Sequence, residues 1–282
     1  MSQAQAHEGA PGDAPGVSPL EAHAGVLRTR MGGAYVGQRA VFRGHDLHAE
    51  LAGLDWVELY VFGVTGLRVT PPQLRVLHAL WVYTSYPDAR IWNNRVVALA
   101  GSSRSSGTLA TAAALAVSEA DIYGRGIDIR VASFLQRACQ LQAAGGDLEA
   151  YVRTELKTHR SLAGYGRPIA AGDERLAPML ALIEREGLRD GAHVKTAFAV
   201  EALLQAGRWR LRMNYAALAA ALTLDMGFTP RQHYLFSFPA FLAGMQPCFI
   251  EASERPAGTL LPLSCDDINY QGPAPRAWPA RG

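Results

Sequence analysis

The chain has 282 residues, of which 49% are hydrophobic and 18% charged, and its net charge is +2. That is length and apolar content for one or two packed domains, while the scattered arginines form no basic stripe of the kind a nucleic acid would need. The longest apolar runs, residues 109–117 and 215–224, fall far short of the roughly 20 residues of a membrane span, and no charged-then-apolar signal opens the chain. Cys139, Cys248 and Cys265 are odd in number and widely spaced, which suits neither a disulfide framework nor a zinc site. A cytoplasmic protein in a reducing compartment is expected, with no nucleic-acid or membrane partner.

In chain order, residues 1–24 are rich in Ala, Gly, Pro and polar residues without an apolar period, and read as a disordered arm. "AVFRGHDLHAELAG" at 40–53 begins strand-like and is expected to turn helical at Asp46, a plausible N-cap. "VTPPQLRVLHALWVY" at 69–83 has a stronger start signal. Thr70 can cap, Pro71 takes the first helical position and Gln73 completes a capping box, after which Leu74, Leu77, Leu80 and Trp81 share a face.

The alanine-rich segments 107–120 and 215–227 read as buried, closely packed helices, the second stopping at Gly227. Between them, residues 193–207 place Val194, Ala197, Phe198, Glu201 and Leu204 at helical spacing before Gly207. Residues 231–245 continue helical up to a break at Pro239. Little else reads as strand, so the expected class is all-α.

Motifs with a definite chemistry are largely missing. There is no GxxxxGK[ST], HExxH or GxSxG. Gly164-Tyr165-Gly166 follows a helical rather than a strand pattern, which argues against a dinucleotide site. His45 and His48 are three residues apart but lack a third ligand, so no metal is expected. The turn "AGYGRP" at 163–168 stands out, because glycines that let a chain bend sharply often serve to present one side chain, here Arg167.

Several stretches, taken together and in order, resemble the citrate synthase superfamily, including its citryl-CoA lyase domains, over roughly residues 33–276. "FRGHDLHAELAG" and "WVELYVFGVTGLRVTPPQL" are similar to the family's "YRGYDI" strand, the helix after it and its "G-x-LPT-x-x-EL" helix start. "LAGSSRSSGTLATAAALAVSEADIYGRG" resembles the "VGSS" segment and the core helix leading to the "HGG" loop. "GYGRP" with "GDER" resembles "GFGHP…DPR", one residue shorter here, and "LRMNYAAL" resembles "NVD". "AGMQPCFIEASERP" and "INYQGPAPR" resemble "GWxAHxxE…RP" and the closing "YxGPxxR".

The resemblance implies a helical dimer with a large domain (25–124 and 229–282), a small domain (125–228) and a cleft between them. It also implies carbon–carbon bond chemistry beside a thioester. In the family an aspartate takes a methyl proton from acetyl-CoA, one histidine holds the enolate oxygen and a second acts on the ketoacid carbonyl, because so weak a carbon acid needs both a placed base and an oxyanion donor. Matching position by position, the "HGG" histidine falls on Tyr123, the "GFGHP" histidine on Arg167 and the "NVD" aspartate on Ala216, with Asn214 kept. The ketoacid-contacting histidine falls on Asp88, and one carboxylate-binding arginine on Phe241. Arg175 and Arg255 retain carboxylate-binding positions, the latter reaching into the partner subunit's site in the family.

The expected ligand is therefore a small carboxylate or an acyl-CoA, with a CoA thioester as the candidate substrate and no cofactor required. Tyr123 and Arg167 are the candidate catalytic groups; Arg175, Arg255, Asp88 and Asn214 are the candidate binding groups. Two readings stay open: a rebuilt cleft running other acyl-CoA chemistry, and an inactive regulatory or structural subunit. The assembly is expected to be a homodimer, or a hetero-oligomer with an active paralogue. Plainer roles also stay open, with Tyr123 filling space, Arg167 paired to Asp128 or Asp173, and Arg255 capping a helix.

Overall fold

The computed structural model describes residues 24–25, 28–122, 124–167, 172–260, 264–274 and 276–278. The arm expected over 1–24 lies outside them except for Ala24. Chain contacts divide the protein into two units, Met1–Asp55 and Trp56–Gly282.

The first unit holds an antiparallel sheet in the order β1 (Gly32–Tyr35), β2 (Arg39–Phe42), β3 (His45–Asp46). Tyr35 lies opposite Arg39, and Phe42 lies opposite both Gly32 and His45. The helix expected from Asp46 does not form. Asp46 does act as a cap, its carboxylate accepting from the His48 and Ala49 N–H groups at 2.9 Å each. Glu50 then folds back onto the Asp46 N–H and the His45 ring, and the chain leaves as a single turn. So few residues return too few hydrogen bonds to offset helix nucleation.

The second unit is helical: α1 (Trp56–Thr65), α2 (Pro71–Val82), α3 (Trp92–Ser102), α4 (Gly107–Val117), α5 (Asp128–Ala143), α6 (Leu148–His159), α7 (Leu176–Arg185), α8 (Ala192–Ala206), α9 (Tyr215–Asp225), α10 (Pro230–Ser237) and α11 (Leu242–Glu254). The all-α class is borne out, with the small sheet as an addition. The Thr70–Gln73 capping box that opens α2 is formed in both directions, and Thr229–Gln232 repeats it at α10. Leu77 and Leu80 are buried, with Leu74 and Trp81 packed against the same core. Pro239 sits in the 3₁₀ turn Phe238–Phe241 that separates α10 from α11.

Buried side chains form two clusters. The larger joins α1, α2 and α5–α10 around α9, in which Ala217, Leu218, Ala220, Ala221 and Leu222 are essentially inaccessible. The smaller joins Val97 and Ala98 of α3, Ala110 and Ala114 of α4, and Met245, Cys248 and Ala252 of α11. The expectation of burial thus holds for 215–227 but only on one face of 107–117, where Leu109 is 66% and Val117 39% exposed. Residues 230–254 have the length and hydropathy of a membrane span, but the 3₁₀ turn interrupts them and Phe236, Met245 and Cys248 are buried in the two cores, as in a packed core element.

Candidate functional site

The turn after α6 is built by two glycines. Gly164 and Gly166 both have φ near +87°, a region closed to most side chains. A Cβ on Gly164 would lie 2.8 Å from the Ala217 Cβ and 3.1 Å from Val131 Cγ1, so the turn seats its backbone directly on α9 and α5. Tyr165 between them is buried against Phe134, and its hydroxyl donates to the Ala197 carbonyl at 2.9 Å.

The turn is then stitched to the entry of α9. The Gly166 N–H donates to the Arg212 carbonyl at 2.7 Å, the Asn214 N–H to the Gly164 carbonyl at 2.9 Å, and the Asn214 side-chain amide to the Gly166 carbonyl at 3.0 Å. Asn214 also caps α9, its side-chain oxygen accepting from the Ala216 N–H at 3.1 Å. Asn214 is therefore a structural fastener between turn and helix, and its polar groups are spent there.

Arg167 emerges from this turn with a side chain 21% exposed. It donates to the Gly172 carbonyl and to Glu174, each at 2.9 Å, and its Nε lies 4.0 Å from the fully buried Asp173 carboxylate. Of the two partners considered for it, Asp173 is present and Asp128 is not. Asp128 belongs to another cluster, where Ser237 donates to it at 2.6 Å.

Arg175 is held more firmly. Its Nε and Nη2 form a two-point bond to Asp173, both at 2.8 Å, and its guanidinium lies 4.5 Å from the Tyr215 ring and 5.8 Å from the Tyr86 ring. The Asp173 oxygens also accept from the Arg175 and Tyr215 N–H groups, so each oxygen takes two donors. Burial pushes the Asp173 carboxyl up, but the Arg175 bonds outweigh it and hold the group below the usual carboxylate range. The Tyr215 hydroxyl is buried with no hydrogen-bond partner among the described residues, and burial raises its titration far above that of a free phenol.

Tyr86 closes the cluster from the loop after α2, its hydroxyl donating to Glu174 at 2.9 Å. Desolvation and that bond push the phenol up to about 12. Its position is set by close packing on α11: a Cβ on Gly244 would fall 2.4 Å from the Tyr86 carbonyl oxygen. That carbonyl also accepts from the buried Asn94 side chain.

The structure thus brings together Arg167, Arg175 and Asn214, with Ala216 in the first turn of α9. Tyr123 lies outside the described residues. Asp88 does not join the cluster; Arg90 claims it, with a shortest contact of 2.7 Å. Arg255 follows α11 as its C-cap, paired with Glu251, and has no contact with the cluster among the described residues. Glu174, Tyr86 and Tyr215 are the members that the sequence did not single out, and Asp173 was considered only as a partner of Arg167. Asp173 and Glu174 were in view within "GDER", and Tyr215 adjoins Asn214, but nothing local marks which cation each carboxylate meets. Among the described residues no group of three His, Cys, Asp or Glu side chains is placed to hold a metal.

No family model and no curated protein matches the chain in sequence. Solved structures match it in shape. Citryl-CoA lyase from Hydrogenobacter thermophilus aligns with a TM-score of 0.78 at 20% identity, over 90% of this chain and 98% of that one. An ATP citrate lyase mutant from Methanosaeta concilii, in complex with (3S)-citryl-CoA, gives 0.71 at 15% identity, over 96% of this chain and 47% of that one. Citrate synthase from Thermoplasma acidophilum, in a ternary complex with carboxymethyl coenzyme A and oxaloacetate, gives 0.63 at 16%, over 80% and 59%. The chain has the citrate synthase/citryl-CoA lyase fold.

Proposed function

We propose that the Arg167–Arg175 cluster is the wall of a ligand cleft that takes a small carboxylate or an acyl-CoA, and that any carbon–carbon bond chemistry there runs on groups other than the aspartate and two histidines that the resemblance implies. The observation that carries this reading is the convergence of two guanidinium groups on one turn and one helix start, each with donors left over. Nη2 of Arg167 and Nη1 of Arg175 carry no hydrogen bond among the described residues, and both side chains keep about a fifth of their surface open. Guanidinium donors in such a position recognise carboxylate or phosphate oxygens.

Alanine at 216 offers no proton acceptor, and a guanidinium is a donor without an acceptor, so neither replaces a methyl-proton base. Loss of such a base costs about 10²–10⁴-fold in rate. The Tyr215 and Tyr86 phenols, both raised, are donors rather than bases near neutral pH. A dimer belongs to the same reading, because α4 leaves Leu109, Ala112, Ala113, Ala116 and Val117 on an exposed face. Native mass measurement reads this directly.

The test is a thermal-shift series with CoA, acetyl-CoA, citrate, oxaloacetate and malate. A ligand at about 100 times its Kd adds about 2.7 kcal/mol, a shift of several degrees. The expected result is a shift with at least one of them that is lost in Arg167→Ala. No shift with any, in either protein, refutes the cleft. Exchange of the acetyl-CoA methyl protons in deuterated buffer should stay at background, and exchange above it would restore the family's ordinary proton step.

A further inference from the structure

The two cations of the cleft have counter-ions of different kinds. Asp173 is fully buried and accepts four N–H groups, so it cannot leave Arg175 without stranding a buried charge. Glu174 is 59% exposed in its side chain and is held by two side-chain bonds and its own backbone N–H. One oxygen accepts from Arg167 and the other from the Tyr86 hydroxyl, both at 2.9 Å. A carboxylate thus spans a cation on the glycine turn and a neutral donor on the loop after α2, which is how an incoming carboxylate would be held.

We infer that Glu174 is an internal carboxylate seated where a ligand carboxylate binds, between Arg167 and Tyr86, and that a ligand enters by displacing it. This rests on the carboxylate-cleft reading and assigns its specificity. Displacement is affordable because the Glu174 contact is exposed and because the freed side chain swings into water rather than into the core. Arg175, locked to Asp173, then serves as a fixed floor stacked on Tyr215, offering its spare donor without exchanging partners. Glu174 consequently sets a threshold: monocarboxylates compete with it on equal terms, whereas ligands with two or more carboxylates add contacts that Glu174 lacks.

The experiment is calorimetric titration of citrate into the wild-type chain, Glu174→Gln, Glu174→Ala and the Arg167→Ala/Glu174→Ala double variant, at one pH and ionic strength. Removing an exposed competing ion pair is expected to tighten citrate binding up to roughly fivefold. Glu174→Ala should show the full effect, and the double variant should lose it. Glu174→Gln keeps the side-chain volume while removing the charge, so agreement between the two single variants excludes a packing artefact. Equal affinity in the wild type and both single variants overturns the inference and leaves the cleft reading standing. Weaker binding in the single variants also overturns it, making Glu174 a ligand contact. A gain that survives Arg167→Ala overturns the seat. Absence of citrate binding in every protein removes both this inference and the carboxylate half of the proposed function.

Discussion

Asp128 and His233 are buried on neighbouring elements, both face Arg125, and their proton linkages run in opposite directions. Ser237 donates to Asp128 at 2.6 Å and Arg125 Nε lies 4.0 Å away, yet burial pushes the Asp128 carboxyl up to about 6. His233 is bonded to Thr223 at 2.9 Å, and burial, aided by the Arg125 charge, pushes its imidazole down to about 4. Glu119 pairs with Arg125 at 2.6 Å and accepts from the Tyr234 hydroxyl at 2.6 Å, completing the charged surroundings.

A folded carboxyl that titrates above its unfolded value of about 3.9 contributes stability that is complete below that pH and is lost as pH rises through about 6. A folded imidazole that titrates below its unfolded value of about 6.5 contributes stability that is complete above that pH and is lost as pH falls through about 4. Each separation is a little over two pH units, worth about 3 kcal/mol at about 1.36 kcal/mol per unit. Between pH 4 and 6.5 the two effects nearly cancel in the wild type.

Asp128→Asn keeps the volume and the Ser237 acceptor but removes one of the two linkages. Its stability relative to the wild type should rise by about 3 kcal/mol between pH 4 and pH 7.5. Urea unfolding followed by far-ultraviolet circular dichroism at half-unit pH steps measures this. His233→Gln should give the mirror image, a relative stability that falls over the same range. A difference between Asp128→Asn and the wild type that stays constant within about 1 kcal/mol across the window refutes the claim that burial governs Asp128.

Asp173→Ala should destabilise the protein by about 3 kcal/mol or more, since it leaves the largely buried Arg175 unpaired and orphans the Tyr215 N–H; chemical denaturation checks it. Gly164→Ala forces a Cβ into a φ of +87° and against Ala217 at 2.8 Å, and should cost about 2–4 kcal/mol while weakening any ligand held through Arg167. Arg255→Ala should leave the stability of the isolated chain within about 0.5 kcal/mol, because its ion pair with Glu251 is exposed. A larger loss would show that this arginine carries more than the helix end it caps.

What the sequence revealed and what it hid divide along a physical line. Capping boxes, the proline break and the burial of 215–227 are local or periodic signals, and Thr70, Pro239 and Leu218 behave as their surroundings in the chain suggest. The helix expected at Asp46 failed because a cap was present without enough following turns to benefit from it. In the site, the glycine turn and Arg175 were legible. Asp173 and Arg175 are only two residues apart, but the burial that locks them together comes from Tyr215 and Tyr86, and the pairing of Glu174 with Tyr86 joins segments 88 residues apart. No spacing rule encodes it.

The geometry of the turn does not depend on the side chain at 167. Gly164 is fixed by Ala217, Val131 and the Asn214 N–H, and Gly166 by the Arg212 carbonyl and the Asn214 side-chain amide, none of which involves the side chain at 167. A residue exchanged at 167 therefore changes the chemistry of the cleft without disturbing the scaffold, provided that its charge is met. Arg167 is hydrogen-bonded to an exposed carboxylate, with Asp173 4.0 Å away, whereas Arg175 is bonded to the buried Asp173, each of whose oxygens takes two donors. On the proposed reading, exchange of a ligand for a counter-ion runs through Arg167, where the displaced carboxylate can move into water, while Arg175 adds only its spare donor. Dependence on ligand charge should concentrate at 167 and dependence of stability at 175, even though the two guanidinium groups share one wall.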